Sequence, residues 1–372
     1  MKLTVEQATF LKALAHVHSV VERRNTIPIL SNVRMEAGDG TLSLNATDMD
    51  LDIVETIAAE VITAGATTVP AHILYDIVRK LPEGSQVELD GGGEEGKLKL
   101  TSGRSRFNLA CLPTEEFPVM SGGDLPHNFT FQAGDLRALI DRTRFAISTE
   151  ETRYYLNGIF LHAASRDGVD VLRAVATDGH RLASVEVTLP DGAAGMPGII
   201  VPRKMVTELR KLIDESTDAI DAALSETKVR FTFGDTELTS KLIDGTFPDY
   251  ERVIPTGNDK QLEVDRKLFA AAVDRVSAIS SEKSRAVKLL LNSGTLILSA
   301  SSPDSGNATE ELEVAYQGES MEIGFNSRYL LDITHQIKSV DAHLSLADAA
   351  SPTILRDAGD ASTIYVLMPM RV

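Results

Sequence analysis

VPAHILYDIVRKL from Val69, VPRKMVTELRKLI from Val201 and FNSRYLLDITHQI from Phe325 are the three stretches on which the fold turns. Each runs from an extended pair of residues straight into an amphipathic helix. The proline after valine suits a first helical turn, and Asn326 suits an N-cap. The spacings between them, 132 and 124 residues, are those of repeated domains rather than of one fold.

Working outward from these strings, the same order of elements returns three times. A first helix precedes each: Glu6–Arg24, Asp135–Ile147 and Arg266–Ala278. In the second of these, Leu136, Leu139, Ile140, Thr143 and Ile147 share one face at helical spacing. A strand pair follows each first helix, starting at Ile29, Tyr155 and Lys288 and alternating around a Gly, Asp or Ser turn. Short strands close each repeat: KLKLTSGRSRFNLACLP from Lys97, KVRFTFGDTELTSKLI from Lys228 and PTILRDAGDASTIYVLMPM from Pro352. The order helix, strands, helix, strands, three times over, predicts a short array of three repeated domains. Loop composition places the domains at 1–125, 126–256 and 257–372. Phe117-Pro118 and Phe247-Pro248 punctuate the first two at equivalent points.

Composition narrows the function. Apolar residues are 43% and charged residues 24%, an ordinary globular balance. No apolar run is long enough to span a bilayer, and MKLTVEQATFLKAL reads as a strand and helix rather than a signal peptide. The single cysteine, Cys111, reads as a half-buried strand residue and points to a reducing cytoplasm. No Cys/His cluster has metal-ligand spacing, so neither metal nor cofactor is expected. GGGEEG at Gly91–Gly96 lacks the lysine of a phosphate loop and reads as a hairpin turn.

The net charge of −17 argues against DNA binding unless positive charge is concentrated somewhere. The six helix candidates hold 17 basic and 8 acidic residues, so the rest of the chain is strongly acidic. A fold that turned these helices to one surface would make a positive track on an acidic body. Solvated basic helix faces are the plain alternative, but glutamate forms helices as well as lysine does, so propensity does not explain its scarcity here.

Five strings carry a family resemblance: RYYLNG at Arg153–Gly158, ATDGHRLA at Ala176–Ala183, VPRKMV at Val201–Val206, FPDYERVIP at Phe247–Pro255 and YVLMPMRV at Tyr365–Val372. Colinear over the whole chain, they resemble the bacterial sliding clamp, the beta subunit of DNA polymerase III. The resemblance implies a homodimer closed head to tail into a ring, with helices lining the hole and sheets outside, an antiparallel α+β class. It implies topological, sequence-independent holding of duplex DNA and no catalysis. It also implies partners that dock by linear peptide motifs: the polymerase III catalytic subunit, the clamp loader, other polymerases and repair proteins. No membrane partner is implied.

The resemblance further implies a peptide pocket between the second and third domains. Leu156, Leu182, Val253 and Val366 would supply apolar walls, and Met368 and Met370 an adaptable surface. Arg181, Arg252 and Arg371 would fix polar groups of an extended peptide. Tyr155, Thr177, Gly179, His180, Pro248 and Pro369 complete the set, with Pro352 altering one wall. YVLMPM also reads as a plain last strand. Arg24, Arg79, Arg137, Arg203, Lys204 and Tyr154 would face DNA, and direct contact at Glu150 is doubtful. Phe107 and Leu109, with Ile279, would form the ring joint. Two readings compete: a peptide-binding scaffold that does not encircle DNA, and an enzyme using Asp178 and His180. The second is disfavoured because TDGH reads as a turn between strands.

Overall fold

The structure is a computed structural model that describes all residues except 94–95, 121–122, 216–218, 281–284 and 372. Six α-helices occur among the described residues: α1 (Gln7–Val20), α2 (Ala71–Arg79), α3 (Ala133–Asp141), α4 (Arg203–Glu215), α5 (Arg266–Ser277) and α6 (Ser327–Thr334). The remainder is antiparallel sheet and short turns. None of these helices is long and apolar enough to cross a membrane. No group of three or more His, Cys, Asp or Glu side chains among the described residues is placed to hold a metal ion.

The hairpins form where the Asp-Gly and Ser-Gly pairs stand. Asp39 and Gly40 have φ of 49° and 75°, and Asp167 and Gly168 have 52° and 79°. Two successive positive φ values suit the twist of a two-residue hairpin loop.

Several helices are shorter than their apolar periodicity suggests, and the reasons are local. α3 stops at Asp141 because Thr143 turns its hydroxyl back onto the Leu139 carbonyl at 2.5 Å, and the chain tightens into a 3-10 turn, Arg144–Ala146. α6 stops at Thr334, whose hydroxyl bonds the Leu330 carbonyl at 2.9 Å. α1 ends at Val20, and extended backbone at Val21 lets both valines be buried. The starts differ as well. Pro70 and Pro202 end strands Gly65–Pro70 and Ile199–Pro202, so each proline precedes its helix instead of opening it. Asn326 does cap α6, accepting from the backbone N–H groups of Arg328 and Tyr329.

Shorter helices change the charge argument. α1 to α6 contain 11 basic and 8 acidic residues. The other basic residues of the candidate segments, Arg23, Arg24, Lys80, Arg142, Arg144 and Lys338, lie within four residues past a helix C-terminus. There the helix dipole favours cations. Much of the sign difference read from the sequence is therefore a helix-end effect.

The chain forms two compact units. The first comprises Met1–Gly134, Pro190–Pro197 and Lys204–Leu242. It holds a five-stranded sheet with Ser105–Ala110 at one edge, and an eight-stranded sheet. In the larger sheet, strand Thr236–Lys241 pairs with strand Leu51–Ala58, so backbone hydrogen bonds run across the first repeat boundary. α1 packs against α2. Cys111 lies one residue past the edge strand Ser105–Ala110, half-buried and free, so it is not a strand residue. The GGGEEG stretch falls partly on residues 94–95, outside the described residues. The strands it joins, Gln86–Asp90 and Lys97–Ser102, pair antiparallel.

The second unit comprises Asp135–Leu189, Gly198–Arg203 and Ile243–Val372. Its nine-stranded sheet crosses the second repeat boundary where strand Arg181–Thr188 pairs with strand Asp360–Leu367, setting Leu182 opposite Val366. A four-stranded sheet has Gly306–Glu313 at one edge, and α5 packs against α6.

Candidate functional site

That Leu182–Val366 pairing builds a cavity in the second unit. Leu156, Val175, Leu182, Ile200, Phe247, Tyr250 and Val366 form one buried apolar cluster. Above it opens a cavity of about 320 Å³. Leu156, Leu182 and Val366 make its floor and are 4%, 3% and 2% exposed, whereas Val253 and Met368 on the rim are 48% and 40% exposed. A rigid apolar floor under an adaptable rim suits the apolar side chains of a ligand better than catalysis.

The turn Asp178–His180 shapes one wall. Asp178 Oδ1 accepts from the backbone N–H groups of His180 and Arg181 at 2.9 and 3.0 Å. Gly179 has φ +88°, and a Cβ there would lie 2.5 Å from Arg153 Nη1. The positive φ requires glycine for the turn, and any Cβ there would push the end of the Arg153 side chain aside. Arg153 is held by Glu150 through two hydrogen bonds of 2.8 and 2.7 Å and by the Asp178 carbonyl at 3.0 Å. Glu150 is therefore committed to Arg153, whose guanidinium holds that carboxyl below its ordinary pKa.

Ten of the residues proposed from the sequence line this cavity: Tyr155 and Leu156, then Thr177, Gly179, Arg181 and Leu182, then Pro248, Val253, Val366 and Met368. Five do not. His180 is exposed and stacks on the Tyr329 ring at 6.1 Å. Arg252 is 83% exposed in its side chain and pairs with Asp249. Pro369, Met370 and Arg371 follow the end of strand Asp360–Leu367, and the Met370 N–H bonds the Gly324 carbonyl at 2.8 Å. Pro352 is not in the lining either; its carbonyl accepts from Asn258 at 2.9 Å.

Arg181 lines the cavity in a different role from the one expected. It is 8% exposed, donates to Asp178, Asp332 and the Phe145 carbonyl, and lies over the Phe145 and Tyr329 rings. Its guanidinium braces the wall and is not held out for a peptide. Sequence reasoning missed Arg153, Asp249 and Tyr250 as lining residues, although all three lie inside the quoted strings RYYLNG and FPDYERVIP.

The residues proposed to face DNA differ in exposure and pairing. Arg24 and Arg203 are exposed, as is Tyr154 at 53%. Arg137 is half-buried, and Arg79 pairs with Asp76 at 3.0 Å. Lys204 is paired within the chain. Its ammonium is bound by Asp48 at 2.5 Å, Glu22 at 2.6 Å and the Val20 carbonyl at 3.0 Å, which uses all three of its protons. Burial alone would lower its pKa, but these partners outweigh burial and raise it. Phe107 is half-buried and Leu109 is 8% exposed, both on the edge strand Ser105–Ala110; Ile279 is half-buried just beyond α5.

Comparison with known proteins gives full-length likeness. Family models of the DNA polymerase III beta subunit match in chain order: the N-terminal domain over residues 1–121, the central domain over 130–249 and the C-terminal domain over 251–371. The beta sliding clamp of Caulobacter vibrioides (strain NA1000 / CB15N) is 54% identical over 372 residues, covering 100% of both chains. That of Escherichia coli (strain K12) is 39% identical over 375 residues, again covering 100% of each. Among solved structures, a sliding clamp (DNA polymerase III subunit beta) from Bartonella birtlesii bound to griselimycin superposes with a TM-score of 0.98 at 52% identity, covering 100% of both chains. The Caulobacter crescentus polymerase III beta structure gives a TM-score of 0.96 at 53% identity with the same coverage.

Proposed function

Because this chain belongs to the DNA polymerase III beta subunit family, the bacterial sliding clamps, we propose that it is the non-catalytic processivity clamp of a cytoplasmic replicative polymerase. Two copies close head to tail around duplex DNA and hold it without reading its sequence. Three clamp domains, 1–125, 126–256 and 257–372, make up each copy. The observation that carries the partner-binding part is the cavity: a buried floor of Leu156, Leu182 and Val366 under the exposed Met368 and Val253. Linear peptide motifs of the polymerase catalytic subunit, the clamp loader and repair partners dock there.

The open edge at Ser105–Ala110, which carries Phe107 and Leu109, supports a ring joint on the first domain. Ile279 belongs to the opposing face on the third. Arg24, Arg79, Arg137, Arg203 and Tyr154 remain the DNA-facing set, without Lys204. The decisive experiment loads the protein with its clamp loader onto closed circular DNA, then cuts the circle. Retention on the circle and loss after cutting is the expected result. Equal retention on circular and linear DNA would mean groove binding and would end the topological reading.

A further inference from the structure

Behind the cavity, its Tyr250 wall is fixed by a directional chain of hydrogen bonds. Tyr250 is 6% exposed, and its hydroxyl lies 2.9 Å from His162 Nε2 and 2.8 Å from Arg173 Nη1. Arginine only donates, so the phenolic oxygen accepts from Arg173. His162 Nδ1 lies 3.0 Å from the Ala163 carbonyl, which only accepts. The imidazole proton therefore sits on Nδ1, and Nε2 is free to accept the phenolic proton. Arg173 donates to Tyr250, Tyr250 to His162, and His162 to Ala163. The chain is complete only while His162 is neutral.

We infer that His162 is a positioning residue for ligands of the cavity: neutral, it orients the Tyr250 wall, and protonated, it releases that wall and weakens binding. This rests on reading the cavity as the partner-peptide site. Protonated Nε2 has a hydrogen to donate, and it faces an oxygen that already takes one from Arg173. The phenolic proton then loses the only acceptor that the described residues offer it. Two cations converge on one buried oxygen.

The neighbouring charges do not relieve this. Arg173, from strand Val169–Thr177, binds Glu186 of strand Arg181–Thr188 and Glu251 of the turn Tyr250–Val253, each at 2.7 Å. Arg166, on the same strand as His162, binds Glu186 at 2.9 Å. Both carboxylates facing His162 are thus committed to arginines. Burial first, and Arg173 with it, hold the His162 pKa below its ordinary value against these carboxylates and the Ala163 hydrogen bond. Phe160 stacks on His162 at 4.6 Å and on Phe247 at 4.9 Å. A shifted imidazole therefore also disturbs Phe247, which adjoins the lining residue Pro248.

The test measures binding to the full chain between about pH 5 and about pH 8, across the range in which histidine titrates. One probe is a fluorescent, histidine-free peptide carrying the clamp-binding motif of the polymerase III catalytic subunit; the other is griselimycin. Affinity is expected to be level above about pH 7 and to fall about tenfold towards pH 5, the scale of one hydrogen bond lost at a binding wall. His162→Gln, which accepts through its amide oxygen without titrating, should keep neutral-pH affinity within about threefold and lose the pH slope. Tyr250→Phe should weaken binding at neutral pH and flatten the profile. A slope that persists in His162→Gln, or a level wild-type profile, overturns the inference alone. No binding at neutral pH, or binding that survives Leu182→Asp in a folded protein, overturns the peptide reading and the inference with it.

Discussion

Replacing Asp52 by Asn probes the seam that joins the first two repeats. Asp52 lies on strand Leu51–Ala58 opposite Thr239 and is 8% exposed. Burial pushes its carboxyl from 3.8 up to about 6, and the Asn45 amide offsets this only in part. Asn45 Nδ2 reaches the two carboxylate oxygens at 3.4 and 3.2 Å, while Asn45 Oδ1 is buried with no partner among the described residues. A rise of about two pH units corresponds to about 3 kcal/mol against the ionised folded state. Because the folded pKa is raised, the stabilising contribution of this group is complete below its unfolded value and is lost as pH rises through about 6. Asp52→Asn has no charge to bury, and its Nδ2 can donate to Asn45 Oδ1. The variant should be more stable by about 2–3 kcal/mol near pH 7.5, with the gap closing towards pH 4. Hydrogen exchange on strands Leu51–Ala58 and Thr236–Lys241 reads this locally, which suits a chain of two compact units better than one melting curve. A gap that is the same at both pH values, or a variant less stable near pH 7.5, would refute the burial argument.

Other substitutions separate the remaining roles. Lys204→Ala leaves Asp48 and Glu22 without their shared cation, so it should lower stability by about 1–3 kcal/mol in denaturant titration while leaving retention of loaded rings on DNA unchanged. Loss of retention with unaltered stability would refute the topological reading, since no single contact should hold a closed ring on DNA. Phe107→Asp should shift sedimentation towards monomer, because burying an unpaired carboxylate in an apolar joint costs several kcal/mol; an unchanged dimer would remove Phe107 from the joint. Deleting Met368–Val372 removes the exposed Met368 from the cavity rim and two backbone hydrogen bonds, Met368 to His180 and Met370 to Gly324. It should leave a folded dimer, judged by circular dichroism and sedimentation, that no longer binds polymerase peptides. Met370→Ala alone should cost little, since Met370 lies outside the lining; a loss of 1–3 kcal/mol or so would restore it as an anchor.

The sequence by itself determined what depends on local patterning. Threefold recurrence of helix and strand strings, Asp-Gly hairpins and the Asn326 cap are all read within a few residues, where backbone preference and side-chain spacing decide the outcome. The cavity floor was also legible, because Leu156, Leu182 and Val366 stand in strings with a recognisable family pattern. Tertiary structure alone decided which polar groups were free to act. Arg181 and Lys204 look in sequence like exposed cations, yet acceptors from distant segments surround them: Asp332 for the first, Glu22 and Asp48 for the second. The same holds for where helices stop, since Thr143 and Thr334 end them through a hydroxyl bond that apolar periodicity does not register. It holds most for Tyr250, whose wall depends on His162 and Arg173, 88 and 77 residues away in sequence. A hydrogen bond constrains only partners that folding has brought within about 3 Å, and no sequence spacing encodes that distance.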